Sequence, residues 1–182
     1  MFKDGRITSD ILEKARKIKF ILMDVDGVMT SGMIVYDTNG IEIKHFNAHD
    51  GLGVKLARAA GIKTGIISAR ESGTIRKRAA EIKMDYLNLG RFDKLPAFKE
   101  FLEESQINPE ECCFIGDDLP DIPVMRQVGL AVAVRNATDL VKENAHYITQ
   151  KAGGDGAVRE VIELILDAQG KLSDAIQKIW NE

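Results

Sequence analysis

Short apolar runs alternate with amphipathic stretches along most of the chain. The runs Lys19 to Met23, Lys63 to Ile67, Tyr86 to Leu89, Glu111 to Ile115, Leu130 to Val134 and Tyr147-Ile148 have the length and continuity of strands buried on both faces. Between them lie stretches with helical spacing: Ser9 to Ile18, Asp50 to Ala60, Glu71 to Lys83, Leu95 to Gln106, Asp121 to Val128, Ala137 to Glu143 and Gly156 to Asp167, then a polar tail helix from Ser173 to Trp180. Thr8 or Ser9 can cap the first helix, and Gly61 stops the second. The helix from Leu95 starts at a lysine and carries Pro96 early, where proline is tolerated. Met33 to Tyr36 and Ile41 to Phe46 flank Asp37-Thr38-Asn39-Gly40, and Asn-Gly is a strong hairpin signal.

Strands alternating with helices predict an α/β fold: a doubly wound, mostly parallel, Rossmann-like sheet with one β-hairpin insertion. Such sheets bind ligands outside the carboxyl ends of their strands. Asp24 and Asp26, Ser68, and Asp117 and Asp118 each directly follow a predicted strand, and Lys94 opens a helix. These groups are therefore expected to meet at one edge. Two acids two residues apart, followed by the turn-forming Gly27, need a cation, a proton or hydrogen bonds to offset their repulsion. With magnesium there, one carboxylate can attack a phosphorus atom while the other moves the proton.

Composition narrows this reading. The 182 residues are 45% hydrophobic and 29% charged, with a net charge of -3 and both signs spread along the chain. That fits one domain over residues 1–182, with the hairpin at 33–46 and a tail at 171–182. No basic block suggests nucleic acid, and no apolar stretch approaches the roughly 20 residues of a membrane helix. Met1-Phe2-Lys3-Asp4-Gly5 does not read as a signal peptide, so the expected location is the cytoplasm. Cys112 and Cys113 are adjacent and read as buried strand residues, not as a redox pair or zinc ligands. His45, His49 and His146 form no metal pattern, although His49 lies in a glycine-containing loop.

Asp24-Val25-Asp26-Gly27, Ser68, Lys94 and Gly116-Asp117-Asp118-Leu119-Pro120-Asp121, in this order, resemble the motifs of the haloacid dehalogenase superfamily of phosphohydrolases. The resemblance makes Asp24 the nucleophile that forms an aspartyl phosphate, and Asp26 the acid and then the base. It makes Ser68 and Lys94 the catalytic groups that hold the phosphoryl group and offset its charge. Magnesium would be bound by Asp24, the backbone carbonyl of Asp26 and Asp117. Asp118 would complete the metal shell or hold a metal-bound water, with Asp121 behind them. Dehalogenases typically lack the second acid of the pair, so Asp26 favours phosphoryl transfer. The motif spacings leave no room for a cap domain, and the hairpin, rich in apolar residues, is the expected cover and subunit contact.

Several further segments narrow the resemblance to the small capless family of 3-deoxy-D-manno-octulosonate 8-phosphate phosphatases, which acts in lipopolysaccharide synthesis. They are Asp24 through Gly32, His49-Asp50-Gly51, Ile67-Ser68-Ala69-Arg70 and Ala152-Gly153-Gly154-Asp155-Gly156-Ala157-Val158-Arg159-Glu160. The resemblance implies a sugar acid phosphate substrate and a homotetramer whose hairpins join, with the C-terminal tail approaching a neighbour's site. A cation is then expected for the sugar carboxylate, with Arg70 the first candidate and Arg78, two helical turns on, the second. Ser68 and Lys94 would also contact substrate. Asp50 reads as the cap of the helix it begins, or as a ligand for sugar hydroxyls. Gly153, Gly154 and Gly156 read as a turn into the next helix, with Arg159 in packing or at an interface. Ala69 stands where glycine is usual and Ser31 where aspartate is frequent; neither touches the expected chemistry. The alternatives are a phosphatase of a nine-carbon sugar acid 9-phosphate or, in a different class, a receiver-like phosphoacceptor module. The receiver reading lacks an Asp after the strand Lys63 to Ile67, and a non-catalytic scaffold would not need every position intact.

Overall fold

A computed structural model describes residues 7–181, so the reading of Met1 to Gly5 lies outside the described residues. In chain order, α1 (Ser9–Lys17) leads to β1 (Phe20–Met23), the hairpin strands β2 (Val35–Tyr36) and β3 (Glu42–Ile43), and α2 (Ala48–Ala59). Then come β4 (Lys63–Ser68), α3 (Gly73–Glu81), β5 (Tyr86–Leu89), α4 (Lys94–Ser105) and β6 (Cys112–Gly116). The chain continues through α5 (Ile122–Met125), β7 (Leu130–Ala133), α6 (Asp139–Glu143), β8 (Tyr147–Ile148), α7 (Ala157–Ala168) and α8 (Leu172–Trp180). Six strands form one sheet in the order β5-β4-β1-β6-β7-β8. Every neighbouring pair in it is parallel. This is the expected doubly wound, Rossmann-like sheet.

The central strands β1 and β6 are buried at every position, which is why they read as unbroken apolar runs. Cys112 and Cys113 lie inside β6, where burial pushes the Cys112 thiol up to about 12 and the Cys113 thiol well above its usual range. That makes them packing residues, as expected. α7 buries Val158, Val161, Ile162, Ile165 and Leu166, and packs against α1 and α2. Among the described residues no helix is long and apolar enough to cross a membrane.

Helix boundaries depart from expectation where side-chain caps decide them. Thr8 Oγ1 accepts from the Ile11 N–H at 3.3 Å, so Thr8 is the α1 cap. Asn47 accepts from the His49 N–H at 2.8 Å and starts α2 two residues before Asp50. Asp93 caps α4 through the Leu95 N–H at 3.2 Å, which fixes Lys94 as the first residue of that helix. The stretch expected as one helix from Asp121 to Val128 divides into a 3₁₀ turn, Leu119–Asp121, and the short α5. Asp118 caps that turn, its carboxylate accepting from the Leu119 N–H at 2.8 Å.

The hairpin pairs over fewer residues than expected: Val35 faces Ile43 and Tyr36 faces Glu42. Asp37 organises the turn, with Oδ1 accepting from Asn39 and Ile41 N–H at 2.9 and 2.8 Å, and Gly40 adopts φ +77°. A three-residue loop ending in a left-handed glycine sets this register. Met33, Ile34, Tyr36, Ile41 and Ile43 are exposed. The tail is amphipathic, not simply polar. Ala175 of α8 is buried, Ile176 and Ile179 pack on the core, and the helix lies on α2.

Candidate active site

The site begins where β1 ends. The Asp24 N–H donates to the Ile115 carbonyl at 3.0 Å, which extends the β1–β6 ladder one residue and points the chain out of the sheet. Val25 O then accepts from the N–H groups of Val28, Met29 and Thr30 at 3.2, 2.9 and 3.0 Å, closing a tight loop. Gly27 sits in it at φ +97°, and a Cβ there would fall 2.0 Å from Asp117 Oδ2. Glycine is thus required both by conformation and by the approach of the second carboxylate motif.

Lys94 lies almost wholly buried (2% exposed) between two carboxylates. Its Nζ is 2.7 Å from Asp24 Oδ1 and 2.6 Å from Asp121 Oδ1. Burial works against its charge, but Asp24 and Asp121 outweigh this and hold its pKa above the usual lysine value. Asp121 Oδ2 accepts the N–H groups of Asp117 and Asp118 at 2.8 and 3.2 Å. Asp121 therefore ties the helix that delivers Lys94 to the loop that delivers Asp117. Asp24, Asp117 and Asp121 each place an oxygen within 4.8 Å of the others. Burial pushes the Asp24 carboxyl up to about 6 against the pull of Lys94. Burial, with Asp24 and Asp121 alongside, pushes Asp117 up to about 8. Asp117 Oδ1 is buried with no hydrogen-bond partner. An orphaned carboxylate oxygen inside an acid cluster suits a hard divalent cation taking oxygen ligands.

The remaining predicted residues divide. Ser68 is buried at the end of β4, where its Oγ accepts from the Arg70 N–H at 3.3 Å. A cavity of about 300 Å³ is walled by Asp24, Asp26, Ser68, Arg70, Lys94 and Asp117. Asp118 borders the same cavity, but its carboxylate caps the 3₁₀ turn, outside the three-carboxylate cluster. Arg70 reaches toward Asp26, with Nε 3.6 Å from Oδ2, and its Nη2 is 2.5 Å from Glu42 Oε1. Arg78 is placed elsewhere. Its guanidinium lies 5.7 Å from the Phe46 ring centre, meets Glu81 at 2.9 Å, and donates to the Asn47 carbonyl at 3.4 Å.

Asp50 does not cap the helix it was expected to begin. It is buried, and its Oδ1 accepts from the Arg159 N–H at 2.8 Å in the first turn of α7, 109 residues away. The glycines before α7 do more than turn the chain. A Cβ on Gly153 would fall 1.6 Å from the Gly27 carbonyl, and one on Gly154 would fall 2.6 Å from the Ser31 nitrogen. Gly154 N–H also donates to Val28 O at 3.0 Å. This segment is pressed onto the loop that carries Asp26. Arg159 pairs with Glu163 at 2.6 Å.

Three residues at the site carried no sequence signal. Lys44, just beyond β3, places its Nζ 2.5 Å from Asp26 Oδ1 and 3.3 Å from Glu42 Oε1, with its side chain 2% exposed. Glu42 joins the same network through Arg70. Phe92 stands exposed at the cavity rim. A lysine and a glutamate in a hairpin, or one aromatic residue in a loop, are ordinary surface composition until the fold places them.

A strand-end acid held by a buried lysine, beside a second acid two residues on, is the arrangement of haloacid dehalogenase-like hydrolases, and the signature of that family matches residues 86–162. The chain is 44% identical over 171 residues to the 3-deoxy-D-manno-octulosonate 8-phosphate phosphatase of Escherichia coli (strain K12), covering 94% of this chain and 91% of that one. The crystal structure of the Yersinia pestis phosphatase of the same name superposes with a TM-score of 0.90 at 44% identity, covering 92% of this chain and 90% of that one. The Moraxella catarrhalis phosphatase, solved in complex with a magnesium ion, a phosphate ion and KDO, superposes with a TM-score of 0.92 at 39% identity, covering 95% and 99%. The chain belongs to the 3-deoxy-D-manno-octulosonate 8-phosphate phosphatase family within that class.

Proposed function

We propose that this chain is a magnesium-dependent phosphatase that hydrolyses 3-deoxy-D-manno-octulosonate 8-phosphate to the free sugar acid and phosphate, in lipopolysaccharide synthesis. One observation carries the mechanism: Asp24, held to Lys94 at 2.7 Å, opens on a cavity that Asp26 also lines. The family relationship supports the choice of substrate and cofactor.

Asp24 attacks phosphorus as the bond from phosphorus to the sugar oxygen breaks, leaving an aspartyl phosphate. Asp26 gives a proton to the departing sugar oxygen. In the second half Asp26 takes a proton from water as that water attacks phosphorus, which frees phosphate and restores Asp24. Lys94 offsets the negative charge gathered on Asp24 and the phosphoryl group, and Ser68 donates to a phosphoryl oxygen. Asp24, Asp117 and the backbone carbonyl of Asp26 would hold magnesium, with Asp118 completing its surroundings directly or through water. When bound, the ion offsets the repulsion between a carboxylate nucleophile and a phosphate dianion. Arg70, on the cavity wall, is the candidate for the sugar carboxylate. Arg78 would join it only from another subunit or after rearrangement, given its contacts with Phe46 and Asn47.

In this reading residues 1–182 form one catalytic domain, working in the cytoplasm as a homotetramer. Support for the tetramer is the exposed apolar surface of the hairpin beside a site with no cap domain among the described residues. A panel of sugar phosphates assayed with magnesium tests the substrate. The octulosonate 8-phosphate should give the highest kcat/KM; an equal or higher value for a nine-carbon sugar acid 9-phosphate would overturn the assignment.

A further inference from the structure

The two oxygens of Asp26 have different surroundings. Oδ1 takes Lys44 Nζ at 2.5 Å and lies 3.5 Å from Thr30 Oγ1. Oδ2 is buried without a hydrogen-bond partner, and Arg70 Nε stands 3.6 Å away, beyond hydrogen-bonding range. A carboxyl group that moves a proton must present one oxygen to the reacting atom, and free rotation about its last bond would misdirect it for part of the time.

We propose that Lys44 is the positioning residue for Asp26. It anchors Oδ1 and so leaves Oδ2, which has no hydrogen-bond partner, as the oxygen that serves the reacting atom. This rests on the reading of Asp26 as the acid that protonates the leaving oxygen. Lys44 reaches it from the hairpin, a segment that contributes neither the nucleophile nor the proposed metal ligands. Its side chain is 2% exposed, and burying an ammonium so fully is costly unless carboxylates surround it. Glu42, two residues earlier and so on the same face of an extended segment, supplies the second carboxylate at 3.3 Å and binds Arg70 as well. Lys44, Glu42, Arg70 and Asp26 thus form a neutral network of two cations and two acids. It makes the hairpin's seating a condition for correct orientation of Asp26.

The test uses leaving-group dependence. Phenyl phosphates with different ring substituents carry no carboxylate and span leaving groups from phenol to p-nitrophenol. For them kcat/KM reports the chemistry up to departure of the phenol. Lys44→Met should steepen the dependence, so that kcat/KM falls about tenfold more for phenyl phosphate than for p-nitrophenyl phosphate, whose good leaving group needs little protonation. The double variant Glu42→Gln/Lys44→Met, which keeps the network neutral, should show the same steepening if the single variant folds poorly. Lys44→Arg should recover part of the loss. A uniform fall across the series would mean that Lys44 only fastens the hairpin, and would overturn the proposal. So would an unchanged series with loss confined to the sugar acid phosphate, which would make Lys44 a substrate contact. Asp26→Asn, run in parallel, separates the two claims. A flat response in that variant removes the acid role of Asp26 itself, whereas a steep response there with a flat one in Lys44→Met removes only the role of Lys44.

Discussion

Two clusters of charge meet at the mouth of this sheet, and they are built differently. The first, Asp24, Lys94, Asp117 and Asp121, comes from strand ends and a helix start, and its members are fixed by the sheet itself. The second, Asp26, Arg70, Glu42 and Lys44, spans the nucleophile loop, the loop after β4 and the hairpin. The first has more negative than positive charge and leaves Asp117 Oδ1 orphaned, a defect that a cation cures. The second is neutral and leaves Asp26 Oδ2 orphaned, the oxygen that would serve the leaving group in the proposed mechanism. In that mechanism the first cluster holds phosphate and nucleophile and the second steers a proton.

Breaking the first cluster should have the largest effects. Removing magnesium with EDTA should take sugar phosphate hydrolysis to background, and adding magnesium should restore it; full activity in EDTA would contradict the metal role of Asp117. Asp24→Asn should lower kcat by about 10⁴-fold or more, because the nucleophile is gone while the fold stands. Near-normal turnover would rule out that assignment. Asp26→Asn, in the second cluster, should lower kcat by about 10²- to 10⁴-fold with KM nearly unchanged, the range for losing a general acid and base. A rise in KM alone would make Asp26 a binding group.

The first cluster should also show in stability. The folded Asp24 and Asp117 carboxyls hold protons to about 6 and about 8, against 3.8 for the ordinary group. A raised carboxyl contributes most at low pH, and that contribution is lost as pH rises through the folded value. The metal-free protein should therefore lose melting temperature relative to the magnesium-loaded protein as pH climbs from 5 to 8.5. A gap that stays constant or narrows would contradict the acid-cluster account. Lys94→Met should cost about 3–5 kcal/mol in denaturant unfolding, since it leaves two buried carboxylates unpaired. The smallest effect should come from deleting the chain after Gly170. Loss of Ile176 and Ile179 from the face of α2 should lower the melting temperature by a few degrees, and KM or product release should change if the tail of one subunit reaches a neighbour's site. Unchanged kinetic constants would remove that second role.

The same contrast explains what the sequence disclosed. Asp24, Ser68 and Asp117 were legible because each directly follows an apolar run, and a parallel sheet brings all such positions to one edge. Lys94 was legible because it opens a helix after such a run. Lys44 and Glu42 were not, because a hairpin residue's target depends on how the hairpin folds back, and no local periodicity encodes that. Asp50 read as a local cap, but its partner nitrogen on Arg159 is 109 residues away. Arg78 was placed by helical spacing alone, and the aromatic ring of Phe46 draws it aside. The glycines at 153 and 154 were legible as a turn, while their approach to Gly27 and Ser31 needed the packed loops. Local pattern located the groups that hold charge at the strand ends. Tertiary packing decided which of them face one another.

The central claim is that Asp24 takes the phosphoryl group covalently. Enzyme mixed with 3-deoxy-D-manno-octulosonate 8-phosphate and magnesium can be quenched in acid during turnover, reduced with borohydride and analysed by peptide mass spectrometry. Borohydride converts an aspartyl phosphate to homoserine, so the account predicts homoserine at position 24 and unmodified aspartate at 26, 117 and 121. Steady release of phosphate with aspartate intact at position 24, or homoserine at another of these positions, would contradict it.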